Sequence, residues 1–312
     1  MRFRTVRPGA SAAALTAALL LLLGSCERRE AYTDTHAGMV SVADGTGGQM
    51  WVPLYDEVPV SAFSSDEFAS DGTYINYIGT QYKVQRGIDV SEHQGEINWQ
   101  AVRGDGVEFA VIRAGYRGYS EGSLYEDAFF RRNIADAQAA GIKVGIYFFS
   151  QAAHETEAEE EAAFLLGLLA GYTLDLPVFY DWERVTGVGK TRVDEVSGET
   201  LTDCAAAFCT IVENAGYTAG VYFYRSLGYY DYAIDRLTDY VFWAGAPGIA
   251  PDFYYQHTMW QYSFTGRVSG IETETDLNLL FLPAEADSER VPPPDDTDAA
   301  VPPEAAPPSV SG

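Results

Sequence analysis

Two acids separated by a single residue stand at the end of "PVFYDWE", Pro177 to Glu183, a run that otherwise reads as a buried strand. Residues two apart on a strand share a face, so Asp181 and Glu183 project together while Trp182 turns the other way. The strand rise alone brings their side chains within about 6–7 Å of each other. Acids this close do not ionise independently. The first negative charge raises the pKa of its neighbour, and burial raises it further. A protonated acid beside a carboxylate is the pair that cleavage of a glycosidic bond requires. The plainer alternative is a solvated pair at a strand end, or acids held by an arginine, for which Arg113 and Arg184 are available.

Two further acids fall at strand ends. Asp89 lies in "GIDVS", and Asp276 opens "TDLNLLF" or just precedes the strand. Four acids at such positions favour a catalytic cluster over an incidental pair.

The elements that must position them recur from Gly87 onward. Short β-rich runs are expected at 87–91, 109–116, 143–150, 177–183, 219–224, 240–246, 257–263 and 275–281. Helical patterns separate the early ones, near 98–105, at 125–140, 155–170 and 200–215, with a short helix at 226–237. Gly141, Gly171 and Gly216 follow three of these helices, where a left-handed cap is wanted. The acidic start of the 155–170 helix suits the positive end of its dipole. Strand–helix alternation implies parallel strands, and eight of them suggest closure. The last three connections are too short for full helices. The expected fold is therefore α/β, a modified TIM-like barrel of five β/α units and three further strands. In such barrels the C-terminal strand ends build the site. An open doubly wound sheet would want a glycine-rich phosphate loop, and none is present.

The motif set then becomes specific. "RGIDVSEHQGEINWQAV", "FAVIRAGYRG", "GIYFFS", "VFYDWE" and "MWQYSFTGRVSGIETETDLNLLF" occur in that order over roughly residues 86–282. This series resembles glycoside hydrolase family 25, the lysozyme (N-acetylmuramidase) family, whose fold is a β/α barrel of the five-plus-three kind. The resemblance implies hydrolysis of the β-1,4 bond between N-acetylmuramic acid and N-acetylglucosamine in peptidoglycan. Asp89 matches the acid of the opening motif, Asp181 and Glu183 the D-x-E pair, and Asp276 the acid of the late D-L-N motif. It makes Glu183 the general acid and Asp181 the group that stabilises the developing anomeric centre, by holding the substrate's N-acetyl amide or by positioning water. Retention versus inversion stays open, with substrate assistance favoured. Asp89 and Asp276 tune the pair and bind hydroxyls.

Around them Tyr147, Tyr180, Tyr224, Trp243 and Trp260 are candidates for stacking on sugar rings, with Gln94 and Arg113 as polar contacts. His93 is read as an orienting residue. Any one aromatic is as well explained by core packing. A non-catalytic glycan-binding barrel and a chitinase-like hydrolase remain as alternatives. The chain departs from the family pattern at Asn98, usually Asp, and in "FWAGAPGIAPDFYYQH", where longer loops are common.

The two ends carry a different signature. Arg2, Arg4 and Arg7 precede an apolar run ending in "LGSC", Leu23 to Cys26. That reads as a secretory signal, residues 1–26, with a lipobox-like end, so Cys26 is expected to be lipidated and to anchor the chain at the membrane, with plain secretion or an uncleaved anchor as the alternatives. Residues 27–40 read as a tether and 41–85 as a small N-terminal β extension, followed by the barrel at 86–284. The Pro-rich, acidic segment 285–312 cannot bury enough apolar surface to order itself. No cell-wall-binding repeat follows the barrel, so anchor and tether are expected to hold the chain near the wall.

The net charge of −25 argues against nucleic acid, which needs clustered Lys and Arg. Cys204 and Cys209 lie about 140° apart around one helix, so they are expected to be buried free thiols rather than a bridge. No metal or cofactor pattern is present, and a monomer is expected.

Overall fold

A computed structural model describes residues 35–284. The expected signal with Cys26, most of the expected tether and the 285–312 tail lie outside the described residues.

The N-terminal part forms two small hairpins: β1 (Met39–Ala43) with β2 (Gln49–Pro53), and β3 (Phe68–Ser70) with β4 (Ile75–Tyr77). Between them the chain is tied to the barrel by a bridge from Val60 to Tyr255 and by backbone bonds to Tyr254 and Gln256. Phe63 and Phe68 pack with Tyr77, Tyr82, Phe281 and the buried His257, with ring centroids 4.3–6.0 Å apart for the Phe63 and Phe68 contacts. Two expected boundaries move. The first strand begins at Met39, inside the expected tether. The extension ends earlier than residue 85, because β5 (Tyr82–Val90) is already barrel wall, paired as far back as Tyr82 with Pro283.

The barrel follows as α1 (Trp99–Gly104), β6 (Phe109–Arg117), β7 (Leu124–Glu126), α2 (Phe130–Ala139) and β8 (Lys143–Ser150). Next come α3 (Glu155–Leu168), β9 (Val178–Trp182), α4 (Gly198–Asn214), β10 (Ala219–Tyr224) and α5 (Arg225–Tyr230). The strands β11 (Val241–Gly245), β12 (Met259–Gly266) and β13 (Thr275–Pro283) complete it. The sheet runs β5-β13-β12-β11-β10-β9-β8-β6 and closes through β5–β6. All eight expected strands are present. Gly141, Gly171 and Gly216 have φ of 75°, 88° and 90°, as the capping argument requires. Asn98 caps α1, its Oδ1 accepting from the Ala101 amide at 3.1 Å, so amide and acid are interchangeable there.

One strand breaks the parallel rule. β13 runs antiparallel to both β12 and β5. It enters the wall through a hairpin rather than a crossover helix, which is why the last connection is short. A second departure is β7, which folds back on β6 as a hairpin over part of the expected 125–140 helix. The helix itself starts at Phe130.

Strand alternation sorts the residues into two cores. Phe109, Val111, Tyr147, Phe179, Tyr222, Trp243, Met259 and Leu280 fill the barrel interior. Their strand neighbours, among them Ala110, Phe148, Tyr180, Phe223 and Trp260, pack outward against helices and the extension. The inner rings need glycine opposite them. A Cβ at Gly87 would meet the Phe109 ring at 2.2 Å, and one at Gly220 would lie 2.5 Å from Phe179 and 2.7 Å from the Val241 carbonyl oxygen. Cys204 and Cys209 are buried free thiols on α4.

Candidate active site

The interior aromatics form a floor, and the acids stand on it at the C-terminal strand ends. Phe179 and Asp181 point inward from β9, and Glu183 follows one residue past the strand, keeping the same phase. Asp89 closes β5 on the same rim. Asp276 reaches that rim only because β13 is antiparallel: the start of β13 lies where the other strands end, and Asp276 pairs in register with Asp89. All four acids line one cavity of about 860 Å³.

A hydrogen-bond chain organises the Asp89 side of this cavity. The Trp243 indole donates to Asn278 Oδ1 at 2.8 Å, and Asn278 Nδ2 donates to Asp89 Oδ2 at 2.7 Å. Gln261 Nε2 donates to Asp89 Oδ2 at 2.8 Å and to Asp276 Oδ2 at 3.2 Å, while the Tyr222 hydroxyl donates to Gln261 Oε1 at 2.8 Å. The pair Asp89–Asp276 is thus held on neutral donors rather than on an arginine. Burial raises Asp89 to about 6, against the pull of the Asn278 and Gln261 amides. Burial, then the charges of Asp89 and Glu183, raises Asp276 to about 9. One carboxylate and one carboxylic acid therefore face each other near neutral pH.

The Asp181–Glu183 pair is drier still. Burial lifts Asp181 well above the carboxylate range, and the charges of Glu183 and Asp89 add to it. Its Oδ1 is buried with no hydrogen-bond partner. Burial, then the charge of Asp89, pushes Glu183 up to about 7, opposed by the Tyr222 hydroxyl. Neither available arginine forms an ion pair with these acids, although the Arg113 charge pulls Asp181 down against its burial. Arg113 is committed to Asp127 at 2.8 Å and Glu92 at 3.2 Å, and Arg184 to Asp231 at 2.6 Å.

Of the other expected contacts, Tyr147, Tyr224, Trp243, Arg113 and His93 line the cavity. Three do not. Tyr180 faces outward, fully buried, its ring 5.1 Å from Phe208 and its hydroxyl accepting from Ser150 at 2.9 Å. Trp260 also faces outward, fully buried, with its indole donating to the Ala246 carbonyl at 2.7 Å. Both are excluded by the same alternation that pairs Asp181 with Glu183. Gln94 is spent on the turn after β5: its Oε1 accepts from the Ser91 amide at 2.9 Å and its Nε2 donates to the Glu274 carbonyl at 3.3 Å.

Sequence reasoning missed Tyr222, Gln261 and Asn278. The available signal was the alternation of β10, β12 and β13: Tyr222 is two from Tyr224, Gln261 is one from the outward Trp260, and Asn278 is two from Asp276. It also missed the aromatic rim. Tyr119, Tyr125 and Phe264 line the cavity yet are 41%, 42% and 45% exposed, flat apolar faces beside the acids.

This arrangement can donate a proton from one acid while a neighbouring carboxylate meets positive charge. The sequence profile of the glycosyl hydrolases family 25 matches residues 88–271, well over half of the chain. The chain belongs to this family. Among its relatives, the autolytic lysozyme of Clostridium acetobutylicum is 28% identical over 194 residues, 62% of this chain and 55% of the relative. Lysozyme M1 of Streptomyces globisporus is 29% identical over 206 residues, 62% of this chain and 66% of the relative. The family 25 chain described here thus spans 55% and 66% of the length of these curated relatives. The modular autolysin LytC from Streptococcus pneumoniae, solved with a synthetic peptidoglycan ligand, superposes with a TM-score of 0.57 at 26% identity, over 78% of this chain and 56% of that one. Asp276 lies beyond the matched span, and it is the β5–β13 register that brings it beside Asp89 in the cavity.

Proposed function

We propose that this family 25 chain hydrolyses peptidoglycan as a muramidase, cutting the β-1,4 bond between N-acetylmuramic acid and N-acetylglucosamine. The observation that carries the reading is the unneutralised Asp181–Glu183 pair at the rim of the acid-lined cavity. Glu183, the less buried of the two, donates its proton to the leaving oxygen. Asp181 lines the same cavity, so its carboxyl faces the substrate. An N-acetyl N–H placed there stabilises the Asp181 anion, which leaves the proton on Glu183 and aims the acetyl oxygen at the anomeric carbon. Carboxylate separation does not report stereochemistry when the substrate supplies the nucleophile. Asp276, protonated beside Asp89, offers a donor to a sugar hydroxyl, and Tyr119, Tyr125 and Phe264 offer faces for the rings. The floor of Tyr147, Phe179, Tyr222 and Trp243 keeps water from below.

The names of the relatives support this substrate, as does a neighbour solved with a peptidoglycan ligand. Export by the N-terminal signal and lipidation at Cys26 would place the barrel outside the membrane, tethered close to the wall.

The test is Glu183→Gln, nearly isosteric but unable to donate the proton. Reducing ends released from purified peptidoglycan are expected to fall by about 10²–10⁴-fold. Release at the parent rate would refute the acid assignment. Mass spectrometry of the products is expected to show N-acetylmuramic acid reducing ends. N-acetylglucosamine ends would indicate a glucosaminidase, and wall binding without any release would indicate a glycan-binding barrel.

A further inference from the structure

Glu183 lies one residue beyond the ladder, whose last β8–β9 pair is Ser150 with Trp182. Its carbonyl therefore needs a partner from elsewhere, and its peptide sets where the carboxyl points. The partner is the Gln151 carboxamide, whose Nε2 donates to the Glu183 carbonyl at 2.7 Å and to the Ser150 carbonyl at 2.8 Å. One residue on, the Ala152 carbonyl accepts from the Trp182 indole at 3.2 Å. Residues 151 and 152 thus grip residues 182 and 183 side by side.

Gln151 is itself immobilised. It is fully buried, and three segments around the rim converge on it. Arg192, from the segment between β9 and α4, donates to the Gln151 carbonyl at 2.5 Å and pairs with Glu157. Glu161 of α3, fully buried, accepts from the Gln151 amide at 3.4 Å and from Arg117 Nε at 2.7 Å. Arg117 at the end of β6 also donates to the Gly122 carbonyl and the Glu157 carbonyl, each at 2.8 Å. The buried Arg117–Glu161 pair is a costly way to hold a loop, and together with the half-buried Arg192–Glu157 pair it carries rigidity at the point where they meet.

We propose that Gln151 is a positioning residue for Glu183: its carboxamide, held by Arg192 and by the Arg117–Glu161 pair, fixes the peptide from which the acid projects. This rests on Glu183 being the proton donor. A reacting group displaced by about 1 Å can lose about 10²-fold in rate.

The experiment uses the full chain, purified peptidoglycan and initial rates of reducing-end release against substrate concentration. Gln151→Met keeps the volume and removes both donors. It is expected to lower kcat at least tenfold with half-saturation within about twofold and the pH profile displaced. Gln151→Asn, one methylene shorter, withdraws the donor while keeping the polarity and gives the same pattern if the methionine variant folds poorly. In a Glu183→Gln background there is no acid to aim, so adding Gln151→Met is expected to change the residual rate less than twofold. A kcat within twofold of the parent, or a loss that multiplies in full on top of Glu183→Gln, would overturn the proposal. Full activity of Glu183→Gln alone would instead overturn the acid assignment.

Discussion

Asp276→Asn is expected to make the protein more stable at neutral and alkaline pH, by an amount that grows with pH. In the fold Asp276 is raised to about 9 from an ordinary value of 3.8, first by burial and then by Asp89 and Glu183. Below the ordinary value both the folded and unfolded chains hold the proton. Between the two values the folded state keeps a proton that the unfolded chain has released. Stability therefore falls as pH rises across this window, by about 1.4 kcal/mol per pH unit from this one group. Asparagine does not titrate, keeps the oxygen that accepts from Gln261 Nε2, and offers an N–H toward Asp89. From about pH 5 to about pH 8 the variant should gain roughly 4 kcal/mol over the parent, reduced toward about 2 where solvent screens the partly open side of the carboxyl. Urea unfolding of parent and variant at both pH values measures the difference. A stability difference that is the same at both ends would show that Asp276 is ionised throughout, and the proposed neutral acid opposite Asp89 would be wrong. The sign is also the expected one for a site that holds unneutralised acids against the stability of the fold.

The alkaline limb of kcat/KM should have its midpoint near the Glu183 value of about 7, so that kcat/KM drops about tenfold per pH unit above it; in Glu183→Gln that limb should disappear. Asn278→Leu strips the donor from Asp89 and the acceptor from the Trp243 indole in a fully buried place, and should cost about 2–5 kcal/mol in urea unfolding, the sum of two unsatisfied groups. Gly220→Ala forces a methyl to within 2.7 Å of the Val241 carbonyl oxygen and 2.5 Å of the Phe179 ring, and should lower the thermal midpoint by an amount corresponding to about 1–3 kcal/mol. A midpoint equal to the parent's would mean that β10 and β11 can separate without cost.

Much of this molecule was legible along the chain because it depends on short-range periodicity. The eight strand runs, the helix caps at Gly141, Gly171 and Gly216, and the shared face of Asp181 and Glu183 all follow from a repeat of two or of three to four residues. The same repeat, applied consistently, would have turned Tyr180 and Trp260 away from the cavity and turned Gln261 toward it. Their aromatic chemistry suggested stacking, but phase decides which face a strand residue serves. Gln94 shows the opposite limit: nothing in "SEHQG" distinguishes a ligand contact from a turn bond.

What only the tertiary structure decided are relations between residues far apart in the chain. That β13 runs antiparallel could not be read from its own sequence, yet this alone places Asp276 opposite Asp89 rather than at the far end of the barrel. The commitment of Arg113 to Asp127 and of Arg184 to Asp231 leaves the Asp181–Glu183 pair without an ion-pair partner, so burial raises both acids with only the more distant Arg113 charge opposing it at Asp181. Composition and spacing supplied the acids. Burial and the absence of a paired charge, properties of the closed barrel and not of any segment, set their protonation.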